Sequence, residues 1–255
     1  MRLPFSARIL LGCCIFTVSA AAVARVQTTR MLVRVYDPRL APPPLEPSAA
    51  DSLLLQREVR PAAHRRWEGT LDDCGDDFEV MGAADGSFTR PGARQRVLLY
   101  RYCFVSHVIG GLGGIAVVED GRVVAHFPFV TTATGIAAVP DLNGDGRSEL
   151  LIGDGGYLMG ESWSYASFAA VEPGGRGLRW LGAFDTGHDD CGMDRDRPRR
   201  EGAVLLARPG ARPAFFRQRL TAGCGDASRW VRRGWLEPAV PADEQLAATW
   251  PPGLR

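Results

Sequence analysis

The sequence predicts an all-β domain of short antiparallel strands, and three observations carry that expectation. Apolar stretches of strand length recur from Phe78 to Leu236, separated by Gly, Pro, Asp and Asn, the punctuation of hairpins and short connections. Apolar residues at helical spacing are nearly absent from the same region. Asp120-Gly121 sits between two apolar runs, and Asp-Gly favours the tight type I′ hairpin. About eleven candidate strands make two or three four-stranded blades, whereas a closed propeller needs about four. The expected architecture is propeller-like, a partial propeller or a sandwich, and not a complete multi-blade ring.

Taken in order, residues 1–24 read as a signal peptide. Arg2 and Arg8 precede an apolar run from Ile9 to Ala24 that ends Ala22-Val23-Ala24, a small-x-small cleavage pattern. As a helix the run would span about 24 Å, short of the roughly 30 Å core of a bilayer. Leu10 to Cys13 also resembles a lipobox, in which the cysteine is lipidated; cleavage, retention as an anchor and lipidation all describe an exported chain. Residues 25–68 read as a proline-rich tether, because Pro38 and Pro42 to Pro44 interrupt backbone pairing beyond a short candidate strand at 31–36. Ser48 and Asp51 have capping-box spacing, which predicts a short helix ending at Pro61. Residues 69–238 form the β domain, with strands expected near 78–81, 97–104, 115–118, 123–129, 135–139, 149–152, 163–171, 178–184, 203–207, 214–220 and 229–236. Residues 239–255, with Pro251 and Pro252, read as a tail.

The formal net charge of +1 becomes −1 once Arg2 and Arg8 leave with the leader, so no overall positive field draws nucleic acid or anionic lipid. The expected location is secreted or periplasmic, with no membrane engagement after cleavage, and the expected partner is another envelope or extracellular protein. Of six cysteines, Cys13 and Cys14 lie in the leader, leaving Cys74, Cys103, Cys191 and Cys224. An even number in an exported chain points to two disulfides, with three possible connectivities. Asp72-Asp73-Cys74-Gly75 recurs as Asp189-Asp190-Cys191-Gly192, and the next cysteine follows after 29 and 33 residues respectively. That repetition favours Cys74 with Cys103 and Cys191 with Cys224. No pair has C-x-x-C spacing, so a zinc ribbon or a thioredoxin-type site has no basis.

The most informative stretch is Asp141 to Gly153, DLNGDGRSELLIG. A hard divalent ion such as calcium takes six to eight oxygen ligands, and alternate residues of a tight loop can converge on one point. Asp141, Asn143 and Asp145 occupy positions 1, 3 and 5, Gly146 permits the sharp turn, Arg147 at position 7 offers its carbonyl, and Glu149 follows at position 9. An EF-hand needs Glu at position 12, where this chain has Ile152, so the EF-hand is rejected. The nine-residue loop entering an apolar strand resembles the loop of FG-GAP or VCBS-type repeats, similar to those of integrin α-subunit propellers. The resemblance implies a calcium ion between two strands of a blade, held by side-chain oxygens of Asp141, Asn143, Asp145 and Glu149 and by the carbonyl of Arg147. Weaker similarity extends from Gly86-Ser87-Phe88 to Phe184, as in bacterial exported proteins of this repeat type. One copy of the loop is present, where the family usually repeats it.

Catalytic constellations are less complete. Asp185, His188, Asp189, Asp190, Asp194 and Asp196 supply groups for a metal or acid-base site, and with Glu161 or Asp154 they define a rival reading as a secreted hydrolase. Arg195, Arg197, Arg199 and Arg200 interleave with them, as in a solvated, self-neutralising loop. Gly111 to Ala116 satisfies G-x-G-x-x-A but leads into a strand, and Gly160 to Ser164 departs from a nucleophile elbow at its fifth position. His107 and His126 stand in apolar surroundings, and Trp163, Trp180, Trp230 and Trp235 are expected to pack in the strand core or, as an alternative, to form a sugar-binding platform. The expected function is a non-catalytic binding or structural module with one structural calcium ion.

Overall fold

The computed structural model describes residues 31–40, 45–67, 77–106, 110–193, 198–225 and 229–242. Residues 1–30, with the expected signal peptide, Cys74, His107, Asp194, Arg195, Asp196, Arg197 and residues 243–255 of the expected tail lie outside the described residues. In chain order the elements are β1 (Val33–Tyr36), α1 (Ala49–Glu58), α2 (Arg60–Trp67), β2 (Glu79–Gly86), β3 (Gln95–Ser106), β4 (Gly110–Glu119), β5 (Arg122–Thr131), β6 (Ala133–Val139), β7 (Glu149–Leu158), β8 (Glu161–Val171), β9 (Leu178–Asp189), β10 (Arg199–Arg208), β11 (Ala214–Gly223) and β12 (Val231–Pro238). Every strand pairing is antiparallel. The fold is mostly β, and no closed barrel forms among the described residues.

Successive strands lie side by side. The sheet β2-β3-β4-β5 is one meander, and the sheet β6-β7-β8-β9-β10-β11-β12 continues it, with β1 also on β10. The larger sheet parts between β9 and β10, which pair only from Arg200↔Asp189 to Gly202↔Gly187. Beyond that point β1 takes the edge of β10, from Leu205 to Ala207. Short two-residue turns drive the meander: Asp120 and Gly121 both adopt positive φ, as a type I′ hairpin demands. Met159 and Gly160 do the same between β7 and β8.

Burial explains why these strands stack in layers. Within β3, residues 97–100 form an unbroken apolar run because both faces are covered there. Leu98, Tyr100 and Tyr102 pack with Leu55, Val59, Ala63 and Trp67 of the helices, while Val97 and Leu99 pack with Ile136, Leu150, Ile152 and Ala169 of the larger sheet. A third cluster unites Phe168 and Phe184 with Leu205, Ala207 and Phe215, so β10 and β11 fold back over the far face of β8 and β9.

The segment expected as a tether supplies three of the elements. Its short candidate strand is β1, and α1 has the anticipated capping box: Asp51 N–H donates to the Ser48 hydroxyl and Ser48 N–H to the Asp51 carboxylate. Leu45 bridges Ala83 of β2, blunting that edge. Pro61 does not end the helical segment; it lies in the first turn of α2, where a missing N–H costs no helical hydrogen bond. Burial of Leu54, Leu55, Val59, Ala63 and Trp67 against the sheet is what holds helices this short, which in isolation are marginal. No helix among the described residues is long and apolar enough to cross a membrane.

Candidate metal centre

The loop 141–149 joins β6 to β7, and its conformation follows from its own side chains. Asp141 accepts backbone N–H groups from Gly144 (2.6 Å), Asp145 (3.2 Å) and Gly146 (2.7 Å). Asn143 Oδ1 accepts from Asp145 N–H at 2.9 Å, and Asp145 Oδ1 from Arg147 N–H at 3.0 Å. Such Asx turns are the local preference of Asp and Asn. Gly144 and Gly146 sit at φ +83° and +79°, a region glycine enters without steric cost.

The consequence is convergence. Carboxylate oxygens of Asp141, Asp145 and Glu149 lie within 4.8 Å of one another, a group that could hold a metal ion. Glu149 is 1% exposed and is held from both sides, by Leu142 N–H at 2.6 Å and Asn143 Nδ2 at 2.5 Å. Burial, with Asp141 and Asp145 adding repulsion, pushes its carboxyl up to about 7 against the pull of the Leu142 amide and Arg147. Burial also raises Asp145, but hydrogen bonds from Arg147 and Asn143 outweigh it and hold that carboxyl below its ordinary range.

Arg147 does more than its expected carbonyl contribution. Its buried guanidinium pairs with Asp145 at 2.5 Å and donates to the carbonyls of Val171 (2.5 Å) and Phe88 (3.4 Å). Ser148 N–H donates to the Ser87 carbonyl at 2.7 Å, and Ser87 N–H to the Ser148 hydroxyl at 3.2 Å. The loop is thereby tied to the turn after β2 in the smaller sheet and to the end of β8 in its own. Sequence spacing identified the carboxylates and the Arg147 carbonyl but held no signal for the long reach of the Arg147 guanidinium, because the carbonyls it meets are distant in the chain.

Of the residues of the rival hydrolase, the structure brings His188 together with Glu161 and gives the described others separate partners. His188 Nε2 contacts Glu161 Oε1 at 2.5 Å, and both are partly exposed. Asp189 accepts from Cys191 N–H and pairs with Arg200 at 3.2 Å, while Asp190 accepts from Arg199 N–H; these are loop-closing contacts. Asp185 stands opposite Tyr165. Asp154 pairs in register with Tyr165 and Glu161 with Leu158, so the two stand about 13 Å apart along the strands, and of the two it is Glu161 that lies beside His188. His126 packs as expected, with Nε2 2.6 Å from the Tyr100 hydroxyl, and burial lowers its pKa. The tryptophans depart from core packing: Trp163 and Trp230 are partly buried, and Trp180 and Trp235 are exposed. Among these four, ring size favoured the core, but each sits near a sheet end or edge.

Cys191 and Cys224 form a disulfide with Cα atoms 5.6 Å apart, and Cys103 is disulfide-bonded as well. No protein-family model, no curated protein and no solved structure matches the chain.

Proposed function

We propose that this chain is an exported, non-catalytic β module of FG-GAP/VCBS type, with propeller-like stacking of its meanders, in which one calcium ion pins the seam between two sheets and supports binding to an envelope or extracellular protein. The observation that carries the reading is the convergence of three carboxylates on a loop that is hydrogen-bonded to both sheets. The donor set is all oxygen, which suits a hard cation. With every group ionised, Asp141, Asp145 and Glu149 against the single guanidinium of Arg147 leave a charge that a divalent ion neutralises. Asp141, Asp145 and Glu149 would hold the ion, with Asn143 Oδ1 and the Arg147 carbonyl completing the set. Its role is electrostatic: it favours the ionised form of a glutamate that burial disfavours.

Calorimetric titration of the purified protein tests this. Calcium binds with a dissociation constant below millimolar and raises the melting temperature; at a hundredfold excess over that constant the gain is about 2.7 kcal/mol. Asp145→Ala abolishes both effects. A calcium-indifferent wild-type protein at millimolar ion overturns the metal reading. Turnover of ester, phosphate, glycoside or peptide substrates that His188→Ala and Asp189→Ala remove overturns the non-catalytic one.

A further inference from the structure

Where the two sheets splay beyond their shared core, the structure leaves a cleft of about 460 Å³, within the roughly 300–1,000 Å³ of small-molecule sites. Its floor holds Asp154, raised above the ordinary carboxylate range by burial against three hydroxyl donors. Those donors come from both sides of the gap: Thr131 at 3.2 Å and Thr132 at 3.3 Å to Oδ1, and Ser167 at 3.2 Å to Oδ2. All three are long for a hydroxyl on a carboxylate, where 2.5–2.7 Å is usual. A half-buried carboxylate with distant partners has acceptor capacity left for a closer donor.

The walls are aromatic. Trp163 is seated on Gly156, where a Cβ would come 2.4 Å from the indole Cζ2, so glycine is required for the ring to lie there. Tyr157, 58% exposed, stands at the rim. Arg101 lines the opposite side, its guanidinium paired with Glu79 at 2.5 Å and 5.4 Å from the Phe104 ring centroid. Glu79 meets the Arg101 charge and burial disfavours the charge of Asp154, so the cleft favours neither an anion nor a cation. Hydroxyl acceptors and donors beside flat apolar rings match a ligand with hydroxyls on its edge and C–H groups on its faces.

We propose that this cleft binds a neutral carbohydrate, whose hydroxyls donate to Asp154 and whose ring stacks on Trp163. The site is separate from the metal loop and does not depend on it.

The test is a printed array of neutral and charged glycans probed with the intact protein, then calorimetric titration of the strongest neutral binder. Tetramethylammonium and sulfate serve as cation and anion comparators. At least one neutral glycan binds at millimolar concentration or below, and Trp163→Ala and Asp154→Asn each weaken it about tenfold or more, the loss of one good contact. Trp235→Ala, on an exposed ring of β12, leaves binding unchanged. Should Asp154→Asn fail to fold, Tyr157→Ala at the exposed rim gives the same reading and lowers affinity by several-fold. Absence of any neutral glycan binder overturns the proposal. So does binding that survives all three cleft substitutions, or preference for tetramethylammonium or sulfate.

Discussion

Glu149 is buried and carries a carboxyl pushed up to about 7, against 4.5 in an unfolded chain. The protonated form is therefore favoured in the folded state, and without metal the stability it contributes is complete below about pH 4.5 and is lost as pH rises to about 7, by up to about 3 kcal/mol. Asp154 is shifted in the same direction, so Glu149→Gln is needed to isolate the effect. Melting temperatures in chelator across that window fall with pH more steeply in wild type than in the variant, and the difference is the part due to Glu149. In saturating calcium the trend reverses for wild type, because the ion binds the ionised carboxylate. Arg147 gives a second residue-scale expectation. Arg147→Ala leaves the carbonyls of Val171 and Phe88 without their donor; denaturant midpoints report a loss of about 1–3 kcal/mol, to which the exposed Asp145 adds little. The spacing of Asp141, Asn143, Asp145 and Glu149 was legible because those side chains fold back on their own loop. The role of the Arg147 guanidinium was not, because the carbonyls it meets are set by tertiary packing.

Among the elements, α1 separates local from tertiary information. Ser48 and Asp51 announce its start, since a capping box is made within four residues. Leu53, Leu54 and Leu55 are consecutive and define no single face, so nothing in them says which one docks. In the structure Leu55 is fully buried and Leu53 is 71% exposed. Leu55→Ala accordingly costs about 2–5 kcal/mol and Leu53→Ala close to nothing, measured by urea denaturation. The strands were legible for the opposite reason: Val97 to Phe104 and Trp163 to Val171 are apolar enough to mark themselves. Their ends were less so, since the residues that prolong β4 and β7 are glycine-rich and carry little pattern.

Across the whole molecule, three antiparallel units stack face to face, with α1 and α2 closing one outer side. The seams between units are where the candidate sites lie: the acidic loop on one, the Asp154 cleft at the open end of the same one. The Cys191–Cys224 disulfide spans the β9–β10 turn and β11, enclosing the region where the larger sheet parts. Cys224→Ser lowers stability by about 3 kcal/mol through the freed chain, and a non-reducing peptide map recovers Cys191 joined to Cys224.

By itself, the sequence determined the strand-rich class, the tight turn at Asp120-Gly121, the cap of α1 and the acidic loop, all of which depend on residues a few positions apart. Only the tertiary structure decided that β3 is covered on both faces, that the helices belong to the body, that Arg147 closes the loop against another sheet and that Asp154 faces a cleft. Apolar burial is non-directional and many pairings of these strands would satisfy it; which faces meet is settled by the packing of all of them together.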